Sequence, residues 1–488
     1  MPSSQVARIS VLLRYIIYAA FLVEGFVGLV SIIDASSAKI RIGSATALAV
    51  LLCLAIVAVA RFLPSGLLAE DPVKRLPALV GAIVCLGLLL RIGWLVAVPP
   101  IQTSDYLRYM TVTRNLLSTG KYMEFRPDAT FRAFTPPGLP FFIAAGLRIF
   151  GDRSWTPAWL NLGLYLATSL LLFKLAAQLV NQSVALLTIL LFAIWPSEIA
   201  LTGLAASEPL FLFLMLGACY FALVPRPFPW RFIVLCGFSA GLATLARPTA
   251  LTLPALWAAA ALTYGAGAGR KLKEAALASA CLLLTVAPWT IRNYRELGAL
   301  VPVSTNGGDV FYRANNPWAT GTWTARGARD LSMYISDEVR WNRVGFAWGK
   351  EWIKSNPVAF LKLAVRKQFM FLSSDETGTY WALARGFPER TTEYALASAI
   401  SNIWWFLLWI LCLFSVVRYW KHLLQTPQLI CLILPFLYFL EIHSIFESQS
   451  RYHIPAVPFL LILAAVGLGR YSVNEQLLTF RHEVKRTI

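Results

Sequence analysis

Asp105, Tyr106, Leu107, Arg108 and Tyr109 follow one another just after a long apolar run. If residues 105 to 120 are helical, the acid, the arginine and Tyr109 share one face. On spacing alone that is also what a local surface ion pair looks like. Further groups of the same kind come singly along the chain. Arg132 precedes Thr135, Pro136, Pro137, Gly138, Leu139 and Pro140; Glu208 follows Ser207; Arg247 precedes Pro248; and Glu447, Arg451 and Tyr452 lie in the run from Glu447 to Pro455. Each has an ordinary explanation by itself. Prolines break helices, an acid suits a helix N-terminus, and arginines snorkel to interfaces. Brought together they would do more, because arginines offer paired donors to an anionic head group while carboxylates hold a polar partner or take its proton.

Whether they meet depends on the elements that carry them. Of 488 residues, 58% are apolar and 14% charged, with a mean hydropathy of +0.63, far from the quarter charged that is usual in soluble domains. Several apolar runs exceed the roughly 18 residues needed to cross a bilayer, and backbone groups in lipid must be satisfied within their own segment, so the spanning elements are helices. The formal charge of +18 is scattered between apolar runs, which fits membrane orientation and not nucleic acid. The seven cysteines all fall inside apolar runs without metal or redox spacing, and read as packing residues.

The pattern predicts an all-α polytopic membrane protein with about a dozen spans. They are residues 9–33, 44–62, 77–98, 156–179, 183–196, 207–224, 231–246, 249–265, 274–291, 399–419, 428–444 and 455–470. The first is too long for a signal-peptide core and is expected to be retained. A cytoplasmic N-terminus puts Arg61, Lys74 and Arg75; Arg226 and Arg231; Arg270, Lys271 and Lys273; Arg418 and Lys421; and a tail with Arg470, Arg481, Lys485 and Arg486 inside. Two polar segments, 99–154 and 292–398, then lie outside. Trp94, Trp155, Trp195, Trp289 and Trp420 sit near span ends as interfacial anchors would. In the larger outer segment Ser355, Asn356 and Pro357 start a helix over 358–372, whose Lys362, Arg366 and Lys367 suggest one basic side lying in the headgroup plane. The same parity brings Asp105, Arg108, Arg132, Glu208, Arg247, Glu447 and Arg451, from five stretches of the chain, to one level at the outer boundary. Arg14, Glu24, Arg91, Lys174 and Glu441 are given no role.

From about residue 77 to 470 the sequence resembles the GT-C glycosyltransferases, specifically the bacterial relatives of protein mannosyltransferases and of lipid A aminoarabinose transferase, a family-39-like group. The matching residues are Asp105 through Tyr109, Thr135 to Pro140, Ser207 to Leu210, Ala246 to Pro248, Pro288 to Tyr294 with Val303 to Gly308, and Glu447 to Pro458. The resemblance implies a GT-C-like core, a first outer loop of amphipathic helices, and transfer from a polyprenyl phosphate sugar on the outer face of the cytoplasmic membrane. It implies that Asp105 is the first-loop catalytic acid, that Glu208 stands where a second acid often lies, and that Arg108 and Arg451 contact the donor phosphate. Tyr109, Arg132, Arg247, Glu447 and Tyr452 complete the expected substrate-binding set. Tyr106 stands where a second carboxylate would make a paired-acid metal site, and Thr135 stands where some relatives carry a phosphate-binding lysine. No cofactor is implied, although a divalent metal stays open.

The expected organisation is two extra N-terminal helices over 1–76, a core over 77–291 that includes the catalytic loop 99–154, an outer segment over 292–398, C-terminal helices over 399–470 and a cytoplasmic tail over 471–488. The expected partners are the lipid-phosphate donor, a lipid, glycan or protein acceptor, and membrane lipids. The alternatives are a flippase or transporter of lipid-linked sugars, against which the absence of a visible internal repeat counts, and a lipid-linked glycan polymerase or ligase.

Overall fold

The long apolar runs wind into helices, as backbone satisfaction in lipid demands. The computed structural model describes residues 3–37, 72–126, 129–224, 229–324 and 328–468. The span expected at 44–62, Cys53, and the basic residues Arg61, Arg226, Arg470, Arg481, Lys485 and Arg486 lie outside the described residues. Among those described, seven helical stretches are long and apolar enough to cross a membrane: Gln5–Gly28, Leu76–Ala97, Thr156–Leu179, Gly265–Leu297, Thr391–Arg418, Pro427–Ile445 and Ser450–Leu468. Shorter apolar helices at Gln182–Ala193, Ser207–Leu223, Trp230–Ala246 and Pro248–Leu262 account for the remaining expected spans.

The helices are α1 (Ser3–Ser37), α2 (Pro72–Ala97), α3 (Ser104–Thr119), α4 (Gly138–Phe150), α5 (Thr156–Leu179), α6 (Gln182–Ala193), α7 (Pro196–Leu201), α8 (Ser207–Leu223), α9 (Pro229–Ala246), α10 (Leu253–Leu262), α11 (Ala268–Leu297), α12 (Gly307–Ala314), α13 (Glu338–Ser355), α14 (Pro357–Leu372), α15 (Thr391–Arg418), α16 (Leu434–Ile445) and α17 (Val457–Leu468). At the centre lies α17, apolar on every side and buried from Val457 to Val466, as a helix without a polar face must be. It packs on α15 and α6, and α8, α9 and α11 follow one another along one flank.

The first outer loop is not purely helical. Between α3 and α4 a two-stranded antiparallel hairpin pairs Glu124 with Phe131 and Phe125 with Thr130. The prolines of the Thr135–Pro140 turn prevent an earlier helix start, so the chain returns to α4 through a series of bends.

Three expectations are corrected. Trp195 and Trp289 are buried, not interfacial: the Trp195 indole N–H donates to Asp375 Oδ2 at 2.6 Å and that of Trp289 to the Val303 carbonyl at 2.7 Å. Lys367 does not join Lys362 and Arg366 on an exposed side of α14. It falls with Leu363 and Phe371 on the buried stripe that four-residue spacing creates, and its Nζ donates to Asn315 Oδ1 and the Ile445 carbonyl.

Candidate active site

Asp105 sits in the first turn of α3, where the helix dipole favours an acid. Ser104 just before it has φ of 50°, the left-handed region that a residue with a side chain rarely adopts, at a cost of about 1–3 kcal/mol. The neighbouring loop is pinned by Gln102, whose amide donates to the Gly203 carbonyl at 2.9 Å and accepts from the Ala205 N–H at 2.8 Å. One glutamine thus ties the approach to Asp105 to the approach to Glu208, which begins α8. Gly138 makes a third junction. A Cβ there would meet Ala246 N at 2.5 Å and Ala246 Cα at 2.7 Å, so only glycine lets the start of α4 lie against the end of α9, where Arg247 leaves the helix.

These junctions assemble a chain of alternating charges. Arg108 Nη1 donates to Asp105 Oδ1 at 3.2 Å, while its Nε faces Glu124 Oε1 at 3.3 Å. Arg451 Nη1 donates to Asp105 Oδ2 at 3.2 Å, and its Nε and Nη2 both donate to Glu208 Oε1, at 2.9 and 2.7 Å. Arg247 Nη1 reaches the same Glu208 oxygen at 3.1 Å. Glu208 is fully buried, whereas the Asp105 side chain is 36% exposed and that of Arg108 35%. The order therefore runs from an inaccessible acid held by Arg247 and Arg451 to an accessible one held by the same Arg451 and by Arg108. A charge buried as Glu208 is requires such pairing.

Tyr452 borders this chain, with the Arg247 and Arg451 guanidiniums 5.5 and 5.9 Å from its ring. Its hydroxyl donates to Glu447 Oε1, and its ring stacks on His443 at 4.0 Å. His443 Nδ1 donates in turn to the Glu447 carbonyl at 2.8 Å. Tyr109, half-buried, lies one helical turn beyond Asp105. Tyr106 is buried edge-on to Trp381 with its hydroxyl unpartnered, and burial pushes its phenol well above the ordinary range.

Arg132 stands apart. Its guanidinium donates to the Glu296 carbonyl and pairs with the Glu296 carboxylate at 3.7 Å, half exposed. Its backbone matters more: the Arg132 and Ala133 N–H groups donate to Glu338 at 2.6 and 3.1 Å, and Arg292 donates to the Arg132 carbonyl at 2.6 Å and to the Tyr122 carbonyl at 3.0 Å. Asn293 and Trp289 of the same helix hold the Val301–Val303 backbone. The Pro288–Tyr294 and Val303–Gly308 motifs thus clamp the first outer loop. Thr135 donates to Glu124 Oε2 at 3.1 Å.

Sequence reasoning missed Glu124, Gln102, Arg292 and Glu338. It also missed a second buried cluster behind Arg451. His453 Nδ1 lies 2.8 Å from the Phe371 carbonyl, which can only accept, so that nitrogen carries a proton. His453 Nε2 faces Asp375 Oδ1 at 3.1 Å, and one further proton must lie between them. Trp195 donates to the other Asp375 oxygen, and the Trp405 ring stacks on His453 at 4.2 Å. Nearby Glu198 is buried, and burial pushes its carboxyl up to about 8.

Fold and site together define a GT-C-fold membrane protein. Residues 135–291 match the family described as dolichyl-phosphate-mannose-protein mannosyltransferase. The oligosaccharyltransferase AglB from Archaeoglobus fulgidus, solved with an inhibitory peptide and a dolichol-phosphate, aligns over 85% of this chain and 52% of its own at 12% identity with a TM-score of 0.50. The apo form of the A. fulgidus oligosaccharyltransferase aligns over 85% and 55% at 13% identity and a TM-score of 0.49. ArnT from Cupriavidus metallidurans bound to undecaprenyl phosphate aligns over 80% and 76% at 15% identity and a TM-score of 0.41. The chain spans about half the length of AglB. No curated protein matches it.

Proposed function

We propose that the protein is an inverting membrane glycosyltransferase that moves a sugar from a polyprenyl phosphate donor to a hydroxyl or amine of a lipid, glycan or protein, on the outer face of the cytoplasmic membrane. The observation that carries this is the charge chain Arg108–Asp105–Arg451–Glu208–Arg247, accessible at its Asp105 end. The description of the matched family, dolichyl-phosphate-mannose-protein mannosyltransferase, supports a lipid-phosphate donor.

In the reaction an acceptor oxygen or nitrogen bonds to the anomeric carbon while the bond from that carbon to the phosphate oxygen breaks. The electron pair leaves with the phosphate, which changes from a singly charged diester to a monoester of up to two charges. Fixed guanidiniums bind the second form more tightly than the first, which lowers the barrier. The acceptor proton, acidified as its atom bonds to the sugar, passes to Asp105. Attack opposite the leaving group inverts the anomeric centre. Arg108 is the accessible guanidinium for the phosphate. Arg451 has Nε and Nη2 on Glu208 and Nη1 on Asp105, so a phosphate reaching Nη1 exchanges with the Asp105 carboxylate and frees it to act as base. Glu208 fixes both Arg247 and Arg451 in place. None of these steps calls for a cofactor.

A deletion strain tests the reading: its lipid fraction should accumulate a sugar-bearing polyprenyl phosphate, identified by mass spectrometry. An unchanged polyprenyl pool, with the purified protein inactive on any polyprenyl phosphate sugar, would refute it. Orientation is tested separately. A cysteine at the exposed position Met333 should react with an impermeant thiol reagent in intact cells, and labelling only after lysis would invert the topology.

A further inference from the structure

Beyond the charge chain, on the side of the outer segment, polar atoms accumulate without partners. Glu447 Oε2, Ser448 Oγ, Arg313 Nε and Thr320 Oγ1 are all buried and make no hydrogen bond. Glu447 is 6% exposed and Ser448 fully buried, and leaving such groups unpaired costs about 1–3 kcal/mol each. They come from two stretches that touch, because the Ser448 N–H donates to the Gly321 carbonyl at 2.8 Å. Arg313 bears electrostatically on Glu447, and its guanidinium lies 5.6 Å from the Trp323 ring. Trp323 itself is 53% exposed, an apolar face presented outward beside that set.

We propose that Arg313, Thr320, Trp323, Glu447 and Ser448 form a subsite for a hydroxylated sugar ring; this rests on the transferase reading above and assigns part of its substrate. The chemistry of the set selects the occupant. A carboxylate oxygen needs a donor, a guanidinium N–H needs an acceptor, and the two hydroxyls take either role. Adjacent sugar hydroxyls supply both at once. A phosphate supplies only acceptors and is repelled by Glu447. The exposed indole gives the C–H face of the ring an apolar surface, as amphipathic aromatics do at wet interfaces. Position agrees as well. Glu447 Oε1 takes the Tyr452 hydroxyl, and the Tyr452 ring borders Arg247 and Arg451, so a single side chain separates the subsite from the groups assigned to the phosphate.

The ring belongs either to the donor or to a glycan acceptor, and the test separates the two. Full-length protein in detergent is titrated with undecaprenyl phosphate and with its glucosyl, mannosyl and arabinosyl derivatives, for wild type and for Ser448→Ala, Thr320→Val, Trp323→Ala and Trp323→Phe. A donor subsite predicts that the best sugar-bearing lipid weakens at least tenfold in the first three variants, that Trp323→Phe recovers part of the loss, and that bare undecaprenyl phosphate changes less than twofold. An acceptor subsite predicts unchanged lipid affinities with a tenfold higher KM for the acceptor and an unaltered kcat. Unchanged lipid affinities together with an unchanged acceptor KM mean the orphan atoms are merely hydrated, which overturns the proposal. Wild-type protein that binds none of the four lipids refutes the transferase reading itself, a result distinct from a lost preference for sugar, and the subsite falls with it.

Discussion

Two aspartates lie on either side of Arg451 and its neighbours, and their surroundings differ in one decisive respect. Asp105 faces outward, 36% exposed in its side chain and held by two guanidiniums. Asp375 is fully buried, with the His453 and Trp195 nitrogens on its two oxygens. Around Asp105 the donors are long, charged and able to exchange partners for an incoming anion. Around Asp375 the partners are the buried His453 and Trp195 rings and the Ser197 hydroxyl, all held by packing, and the pair with His453 shares a single proton. The first arrangement suits chemistry; the second fixes the backbone that carries Arg451, two residues from His453. Accessible charged partners mark a reacting group and buried, packed ones mark a support, even when the residue type is the same.

The same substitution should therefore act oppositely at the two positions. The largest effect expected is at Asp105, where Asp105→Asn keeps the shape but removes the base and should lower the transfer rate by about 10² to 10⁴, with donor binding and thermal stability nearly unchanged. Asp105→Glu should retain more activity. Near-normal transfer by purified Asp105→Asn would move the base to another group. At Asp375 the asparagine can still donate to His453 Nε2 and accept from Trp195, so Asp375→Asn should be close to wild type in both stability and rate. Asp375→Ala leaves both nitrogens unpaired and should cost about 3–5 kcal/mol, read as an earlier unfolding transition in detergent. If Asp375→Asn abolished transfer in a folded protein, Asp375 would be a reacting group and not a support.

Arg451 joins the two regions, and its replacement should have an intermediate effect. Lysine offers a point charge and cannot place two N–H groups on Glu208 while a third reaches Asp105. Arg451→Lys is expected to weaken donor use more than tenfold at unchanged protein abundance. Unaltered kinetics would leave Arg451 without a role in the charge chain. A related test is steric: Gly138→Ala pushes a methyl into the Ala246 backbone, displacing Arg247 without altering any charge, and should reduce transfer severalfold in a protein that still folds.

The apolar runs made the helices legible in the sequence, because in lipid a helix is the solution open to a single segment. Asp105, Glu208, Arg247 and Arg451 were legible through their common level at span ends, and the structure brings them within hydrogen-bond reach of one another. What stayed hidden depends on partners distant in sequence. Glu124 reads as an ordinary acid of a hairpin until Arg108 and Thr135 fold onto it. Trp195 has the position of an interfacial anchor but is buried, its ring stacked on Trp404 and its N–H accepted by Asp375, 180 residues later. Arg132 was placed by level alone, and level could not reveal that Glu296 takes its side chain.

The smallest expected effect concerns Lys367, a charged residue in the supporting part of the molecule. Its Nζ reaches Asn315 Oδ1 at 3.1 Å and the Ile445 carbonyl at 3.0 Å. Both acceptors serve a neutral amine as well as an ammonium, so nothing at the site requires the charge. Burial lowers its pKa from 10.5 to about 7, with Glu447 opposing the shift. Between about pH 7 and 10.5 the unfolded chain therefore holds a proton that the folded chain has released. Stability rises with pH wherever the unfolded state binds more protons, so the unfolding midpoint should climb as pH is raised from 7 to 9, and the contribution is lost as pH falls through about 7. Methionine at this position keeps the length and removes the titration. Lys367→Met should flatten the slope while Glu447, present in both proteins, continues to titrate. An identical slope in the two proteins would show that Lys367 stays charged in the fold, and the support would then carry a buried charge as the Asp105 side does.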